Sequence, residues 1–185
     1  MIKCLFLVML MIPSYAISST CNRSPSQLKS QLLSVVGNDN TKEEIKSLLK
    51  RNVDFEHISQ TTLKEEWPKI QKQKKKEFTE TLQSLIIEAY ASKLDEQQKK
   101  PEFEYNFFSS RRFSMSSEIQ LQGTESDVIF QAHLNAENCW KISDIVIDEV
   151  SMSENYREQF VTVMKKHDFS TLLAKMKGKL KALRS

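Results

Sequence analysis

The sequence predicts an α+β fold: a four-stranded antiparallel sheet packed against several helices, with an N-terminal helical part. Three observations point there. Apolar side chains recur every three and four positions up to about residue 95, every two between 101 and 150, and every three and four again after 151. Glycine and proline number only 3 and 4, which excludes a collagen-like or low-complexity chain. With 39% hydrophobic and 28% charged residues in 185, the composition is that of an ordinary globular protein.

The helices start at Ser24-Pro25, an N-cap followed by proline at the first helical position. Leu28, Leu32, Val35 and Val36 form its apolar stripe, and Gly37 ends it. Thr41 with Glu44 is a capping box ahead of Ile45, Leu48 and Leu49. Asp54 caps a third helix carrying Phe55, Ile58, Thr62, Leu63 and Trp67, which Pro68 ends or kinks. A longer helix over about 70–95 places Phe78, Leu82, Leu85, Ile86, Ala89, Tyr90 and Leu94 on one face. Its lysine-rich start, Lys72 to Lys76, is a solvated first turn or a partner-binding patch.

After Pro101 the period becomes two. Phe103, Tyr105 and Phe107 alternate with Glu102, Glu104 and Asn106. Phe113, Met115, Ile119 and Leu121 share a face of the second strand, and Val128, Phe130, Ala132 and Leu134 line the third. Trp140, Ile142 and Val146 lie on the fourth. Short turns at 122–124 and 135–138 make this an antiparallel meander with one apolar face that helices must cover. Ser151 and Glu154 open the next helix, through Tyr156, Phe160, Val163 and Met164. Asp168 caps the last, with Phe169, Leu172, Leu173, Met176, Leu180 and Leu183.

The first sixteen residues read as an address. Lys3 precedes nine apolar residues, Cys4 to Ile12; Pro13 follows, and Ser14 and Ala16 place small side chains before a cut. This is the layout of a secretory signal peptide. Nine residues rise about 14 Å as a helix, half of a bilayer core. Cys21 lacks a leucine three residues before it, so lipid attachment there is not expected. The expected organisation is a signal peptide over 1–16 and one domain over 17–185, mainly helical over 17–100, sheet over 101–150, and helical again over 151–185. Cleavage leaves Cys21 and Cys139, which either pair in an oxidising compartment or remain two thiols.

Several chemistries are excluded. Gly37, Gly123 and Gly178 lie too far apart for a phosphate-binding loop. The cysteines and histidines lack metal-ligand spacing, so neither a metal nor a cofactor is expected. No nucleophile motif stands near a histidine, and His133 alternates with Gln131 and Asn135 as a surface residue. Asp144 falls by strict alternation on the apolar face of its strand and needs a partner there; Arg157 on the following helix is the expected one. Charge is uneven. Residues 101–163 carry 4 basic and 11 acidic groups, and residues 164–185 carry 7 basic and 1 acidic. The basic end is either a solvated helix face or a surface for an acidic protein or anionic lipid. A secreted chain with this acidic sheet is not expected to bind nucleic acid.

The run from Trp140 through Asp144, Asp148, Ser151, Asn155, Tyr156 and Arg157 to Phe160 resembles the signature of MlaC-type proteins, periplasmic phospholipid-binding components also described as toluene-tolerance auxiliary proteins. That family reads Trp-basic-Ile-x-Asp-Val-x-Ile-x-Gly-Val-Ser and then Asn-Tyr-Arg-x-x-Phe. A second block agrees: Asp54-Phe55, Leu63 and Trp67, Phe78, and Glu88-Ala-Tyr90. Glu149 stands where the family usually has glycine, and Lys64 where its leucine is usually followed by glycine, which bears on the local backbone.

The resemblance implies a cystatin-like, nuclear-transport-factor-two-like sheet with acyl chains held between sheet and helices. It implies a phospholipid as ligand, and exchange with an outer-membrane lipoprotein complex and an inner-membrane ABC transporter complex that maintain outer-membrane lipid asymmetry. No catalytic residue comes with it. The expected lining is Phe103, Tyr105, Phe107, Ile119, Leu121, Phe130, Leu134, Ile142, Val146, Leu82, Ile86 and Phe160. Two rival readings remain: a secreted interaction protein with a filled core, binding through its basic C-terminal helix, and an enzyme using Asp144 for proton transfer.

Overall fold

The structure, a computed structural model, describes residues 21–34, 41–91, 102–121 and 124–184. The expected signal peptide, the helix end at Gly37, Leu94 and the turn at Gln122-Gly123 lie outside the described residues, as does the side chain of Leu121.

The chain runs through α1 (Pro25–Leu33), α2 (Lys42–Asn52), α3 (Phe55–Leu63), a 3-10 segment (Lys64–Lys69) and α4 (Lys72–Ala91). The sheet follows as β1 (Glu104–Ser109), β2 (Arg112–Leu121), β3 (Thr124–Leu134), β4 (Trp140–Ile147) and β5 (Val150–Ser151), then α5 (Met152–Met164) and α6 (Phe169–Leu183). The caps named from sequence hold. The Ser24 side chain accepts from Gln27 N–H, Asp54 from His57, Ser151 from Glu154 and Asp168 from Thr171. Thr41 and Glu44 make both halves of a capping box. At α5 the second half is missing, because the Glu154 carboxylate turns to Arg157 instead.

The sheet is an open antiparallel meander in sequence order. It has one strand more than expected. A two-residue turn at Asp148-Glu149 lets Val150 and Ser151 fold back on Ile147 and Val146. The rest of that edge of β4 is covered too: Asn22 bridges Trp140, and Val53 bridges Ile142. Cys21 and Cys139 are joined by a disulfide, so the segment before α1 is tied to the start of β4. Beside it, buried Asn22 donates to the Asn52 side chain at 2.8 Å.

Phe113, Met115 and Ile119 of β2 and Val128, Phe130 and Ala132 of β3 face the helices and are buried. α4 turns Phe78, Leu82, Leu85 and Ile86 toward them. Phe78 is the hub of the helical side, with ring centroids 5.5 Å from Phe160, 5.8 Å from Phe169 and 6.2 Å from Trp67. α6 packs along α4, and the pair is laced at the surface by Lys177–Glu77 at 2.5 Å and Arg184–Glu88 at 3.3 Å.

Candidate functional site

Most of the side chains expected to line a hydrophobic site meet in one place. Phe103, Ile119, Phe130, Ile142, Leu82, Ile86 and Phe160 belong to a single contiguous buried cluster between sheet and helices, and Tyr105 and Leu134 pack on its margin. Phe103 reaches Phe130 with ring centroids 5.8 Å apart. The arrangement follows from two periodicities facing each other, the inward positions of β2 and β3 and one stripe of α4 and α5. Such a layer offers dispersion contacts and water exclusion.

Two expected lining residues fall elsewhere. Phe107 lies 65% exposed at the end of β1. Its ring stacks on Tyr105 and tilts against Phe113, so it continues the aromatic row to the rim of the sheet without entering the cluster. Val146 is buried on the wrong face. Ala132 pairs with Ile142 but Gln131 pairs with Asp144, which leaves Ser143 as an extra residue. This bulge resets the alternation. Ile145, opposite Phe130, takes the inward place, and Val146 turns outward opposite Ile129. Sequence alternation alone does not reveal a one-residue insertion. The backbone of Leu121 pairs with Thr124 at the end of β2.

The same bulge corrects the role expected of Asp144. It sits opposite outward-facing Gln131 and is 8% exposed. Arg157 is not its partner; that guanidinium donates to Glu154 at 2.6 Å within its own helix. Asp144 instead accepts from Ile145 N–H at 2.9 Å, Ser151 Oγ at 2.5 Å and Ser153 N–H at 3.0 Å. A helix N-terminus presents unpaired N–H groups and partial positive charge, and the carboxylate answers both. Asp144 therefore docks α5 on the sheet through the backbone. Beneath α5, burial and then the neighbouring Tyr90 push the Tyr156 hydroxyl up to about 12.

A polar cluster that sequence missed joins α3 to the sheet. His133, expected at the surface, is half-buried with Nε2 at 2.8 Å from Asp54 Oδ2, and its ring lies 4.4 Å from that of His57. Burial opposes the Asp54 charge, but hydrogen bonds from His133 and the His57 N–H outweigh it and hold the carboxyl below its usual range. Burial and then neighbouring His133 hold the His57 imidazole low. Lys141, opposite His133, caps the Arg51 carbonyl, and burial lowers its ammonium. No local signal could join Asp54 to a histidine 79 residues away.

Two surface clefts border these elements. One lies along α1, lined by Asn22, Gln27, Gln31 and Arg51 among others, and one on α6 by Lys177, Leu180, Lys181 and Arg184. Neither contains an expected lining residue. Among the described residues no group of three His, Cys, Asp or Glu side chains could hold a metal ion, and no helix is long and apolar enough to cross a membrane.

One comparison with known proteins shows a family. The model of the MlaC protein family matches residues 21–178. Among solved structures, the chain is similar to a phospholipid-binding protein from Ralstonia solanacearum in complex with a phospholipid. The two share 18% identity and superpose with a TM-score of 0.71 over 86% of this chain and 96% of that one. No curated protein sequence matches.

Proposed function

Because this chain belongs to the MlaC family, we propose that it is a phospholipid carrier of the periplasm, exported by a cleaved signal peptide. It shuttles lipid between an outer-membrane lipoprotein complex and an inner-membrane ABC transporter complex to maintain outer-membrane lipid asymmetry. The acyl chains lie between the sheet and the helices, against Phe103, Tyr105, Ile119, Phe130, Leu134, Ile142, Leu82, Ile86 and Phe160. One observation carries this reading: the family match spans both the sheet and the helices that enclose this apolar layer.

The energetics suit a shuttle. Two acyl chains bury roughly 30 methylenes, at about 0.8 kcal/mol each, so more than about 20 kcal/mol of water exposure is avoided in transit. Leaving a bilayer costs a similar amount, and net affinity is a small difference. The side chains of the layer are packed on one another, so admitting a lipid requires the α4–α5 side to shift off the sheet.

The test is native mass spectrometry of residues 17–185 purified from a Gram-negative host, with lipid extraction of the same sample. A near one-to-one phospholipid adduct is expected, and Phe130→Glu should lose it while keeping its circular dichroism. Bare protein, still bare after incubation with phospholipid vesicles, would overturn the carrier. It would favour an interaction protein with a filled core.

A further inference from the structure

The sheet is electrically polarised from end to end. In a meander the β1–β2 and β3–β4 turns lie at one end, and the β2–β3 and β4–β5 turns at the other. At the second end, Glu118 pairs in register with Asp127, Gln120 with Glu125, and Asp127 N–H donates to Asp148 beside Glu149. That end carries five carboxylates. At the first end, Arg111 sits in the β1–β2 turn, and Arg112, His133 and Lys141 lie directly opposite one another across β2, β3 and β4. Arg23 donates to the Glu137 carbonyl in the adjoining turn. Arg111 and Arg112 are the only Lys or Arg residues between 101 and 140, and both are exposed. Against them stand Glu137 and the half-buried Asp54.

The end of β1, beside this turn, carries two of the most exposed large apolar side chains among the described residues, Phe107 at 65% and Phe108 at 67%. A register shift between Phe107 and Ser109 places this pair just before the turn. Arg111 Nη2 donates to the Leu134 carbonyl at 3.1 Å, and Leu134 N–H to the Arg111 carbonyl at 2.9 Å. The tip is thereby braced on the next turn.

We propose that this hairpin tip is a membrane-surface contact: Phe107 and Phe108 enter the interface of an anionic bilayer while Arg111 and Arg112 meet lipid phosphates. Two protruding rings are far smaller than the roughly 800 Å² per side of a stable protein interface, but they are sufficient for interfacial insertion assisted by adjacent cations. The carboxylates at the far end oppose its approach to an anionic surface, so the sheet meets such a surface by its tip. The proposal does not depend on the protein carrying lipid, and the test separates the two.

The experiment is cosedimentation of residues 17–185 with phosphatidylcholine vesicles containing phosphatidylglycerol, and with pure phosphatidylcholine, at low and high salt. Binding to the anionic vesicles is expected, weakened by salt. Arg111→Ser with Arg112→Ser should reduce it roughly ten- to thirtyfold. Lys175→Ser with Lys179→Ser, which removes the same charge from exposed positions on α6, should change it by less than about threefold. Phe108→Ser, which leaves the Tyr105–Phe107–Phe113 stack in place, should weaken it about threefold. Mass spectrometry of the same variants should show unchanged bound lipid. The proposal is overturned if the wild type stays in the supernatant, or if the tip variants bind as it does. It is also overturned if the α6 variant loses as much as the arginine variant, or if the tip instead supports a concentration-dependent dimer without vesicle binding.

Discussion

The two ends of β4 are fastened to the helices by different means. At its start the partners come from far along the chain. Cys139 is bonded to Cys21, Trp140 N–H donates to the Asn22 carbonyl and Asp54 N–H to the Ile142 carbonyl, while Asp54 also pairs with His133 on the neighbouring β3. At its end the partners are local, since Asp144 takes Ser151 and Ser153, seven and nine residues on. The distant fastening is a disulfide, backbone bonds and a carboxylate–imidazole pair; the local one is a carboxylate on backbone N–H groups and one hydroxyl. The first closes the fold, and the second aims α5 at the apolar layer.

Breaking the distant end should have the largest effect. The disulfide spans a sequence separation of 118, and a crosslink over so long a loop contributes about 4 kcal/mol by restricting the unfolded chain. Cys21→Ser with Cys139→Ser, compared with wild type by urea denaturation with and without reductant, should lose that amount. Reductant should then have no further effect on the variant. A variant as stable as the oxidised wild type would show that Asn22 and Asn52 suffice to hold this end.

At the local end, Asp144→Ala strands the Ser153 N–H and the Ser151 hydroxyl and should cost about 3 kcal/mol. Arg157→Ala removes only an exposed intrahelical pair and should cost less than about 0.5 kcal/mol. Comparable losses from both would restore the Asp144–Arg157 pairing that strict alternation suggests.

This contrast also sets what could be read from the sequence. The meander, the caps at Ser24, Thr41, Asp54, Ser151 and Asp168, and most of the apolar layer rest on local periodicity and capping chemistry, so they were legible. The pairing of Asp54 with His133 joins segments with no local relation and was not. The bulge at Ser143 was also hidden: it is one residue in a run whose composition reads as unbroken alternation, yet it exchanges Val146 for Ile145 in the inward row and turns Asp144 to α5. Phe107 failed differently. Its period is correct, but it lies at the rim, where facing the right way does not mean being covered.

The distant end should answer to pH through His57. His57 is held below its ordinary range by burial and by His133. The unfolded chain therefore takes up that proton first, and stability should fall as pH drops through about 6.5. Asp54 is held low as well, so its contribution persists until pH falls through its lowered range. The melting temperature should decline between about pH 7 and pH 5.5, and His57→Gln should flatten that slope. His133→Ala should cost about 1 kcal/mol at neutral pH. A slope that survives His57→Gln would place the responsive group elsewhere.

The smallest effects should be gains, at two positions of positive φ. Asp148 and Glu149 form the turn between β4 and β5 with φ of 47° and 69°. A two-residue turn with both central residues at positive φ favours glycine in the second place. Lys64, directly after α3, has φ 37°. Both are positions where the family pattern usually has glycine. Side chains there carry a backbone penalty of about 1 kcal/mol or more, partly offset because glycine loses more freedom on folding. Glu149→Gly and Lys64→Gly should each therefore raise stability by about 0.5 kcal/mol. If Glu149→Gly stabilises and also lowers the cost of Asp144→Ala, the turn and the carboxylate act together in seating α5. If the two effects add independently, the carboxylate alone aims the helix, and the turn only closes the strand.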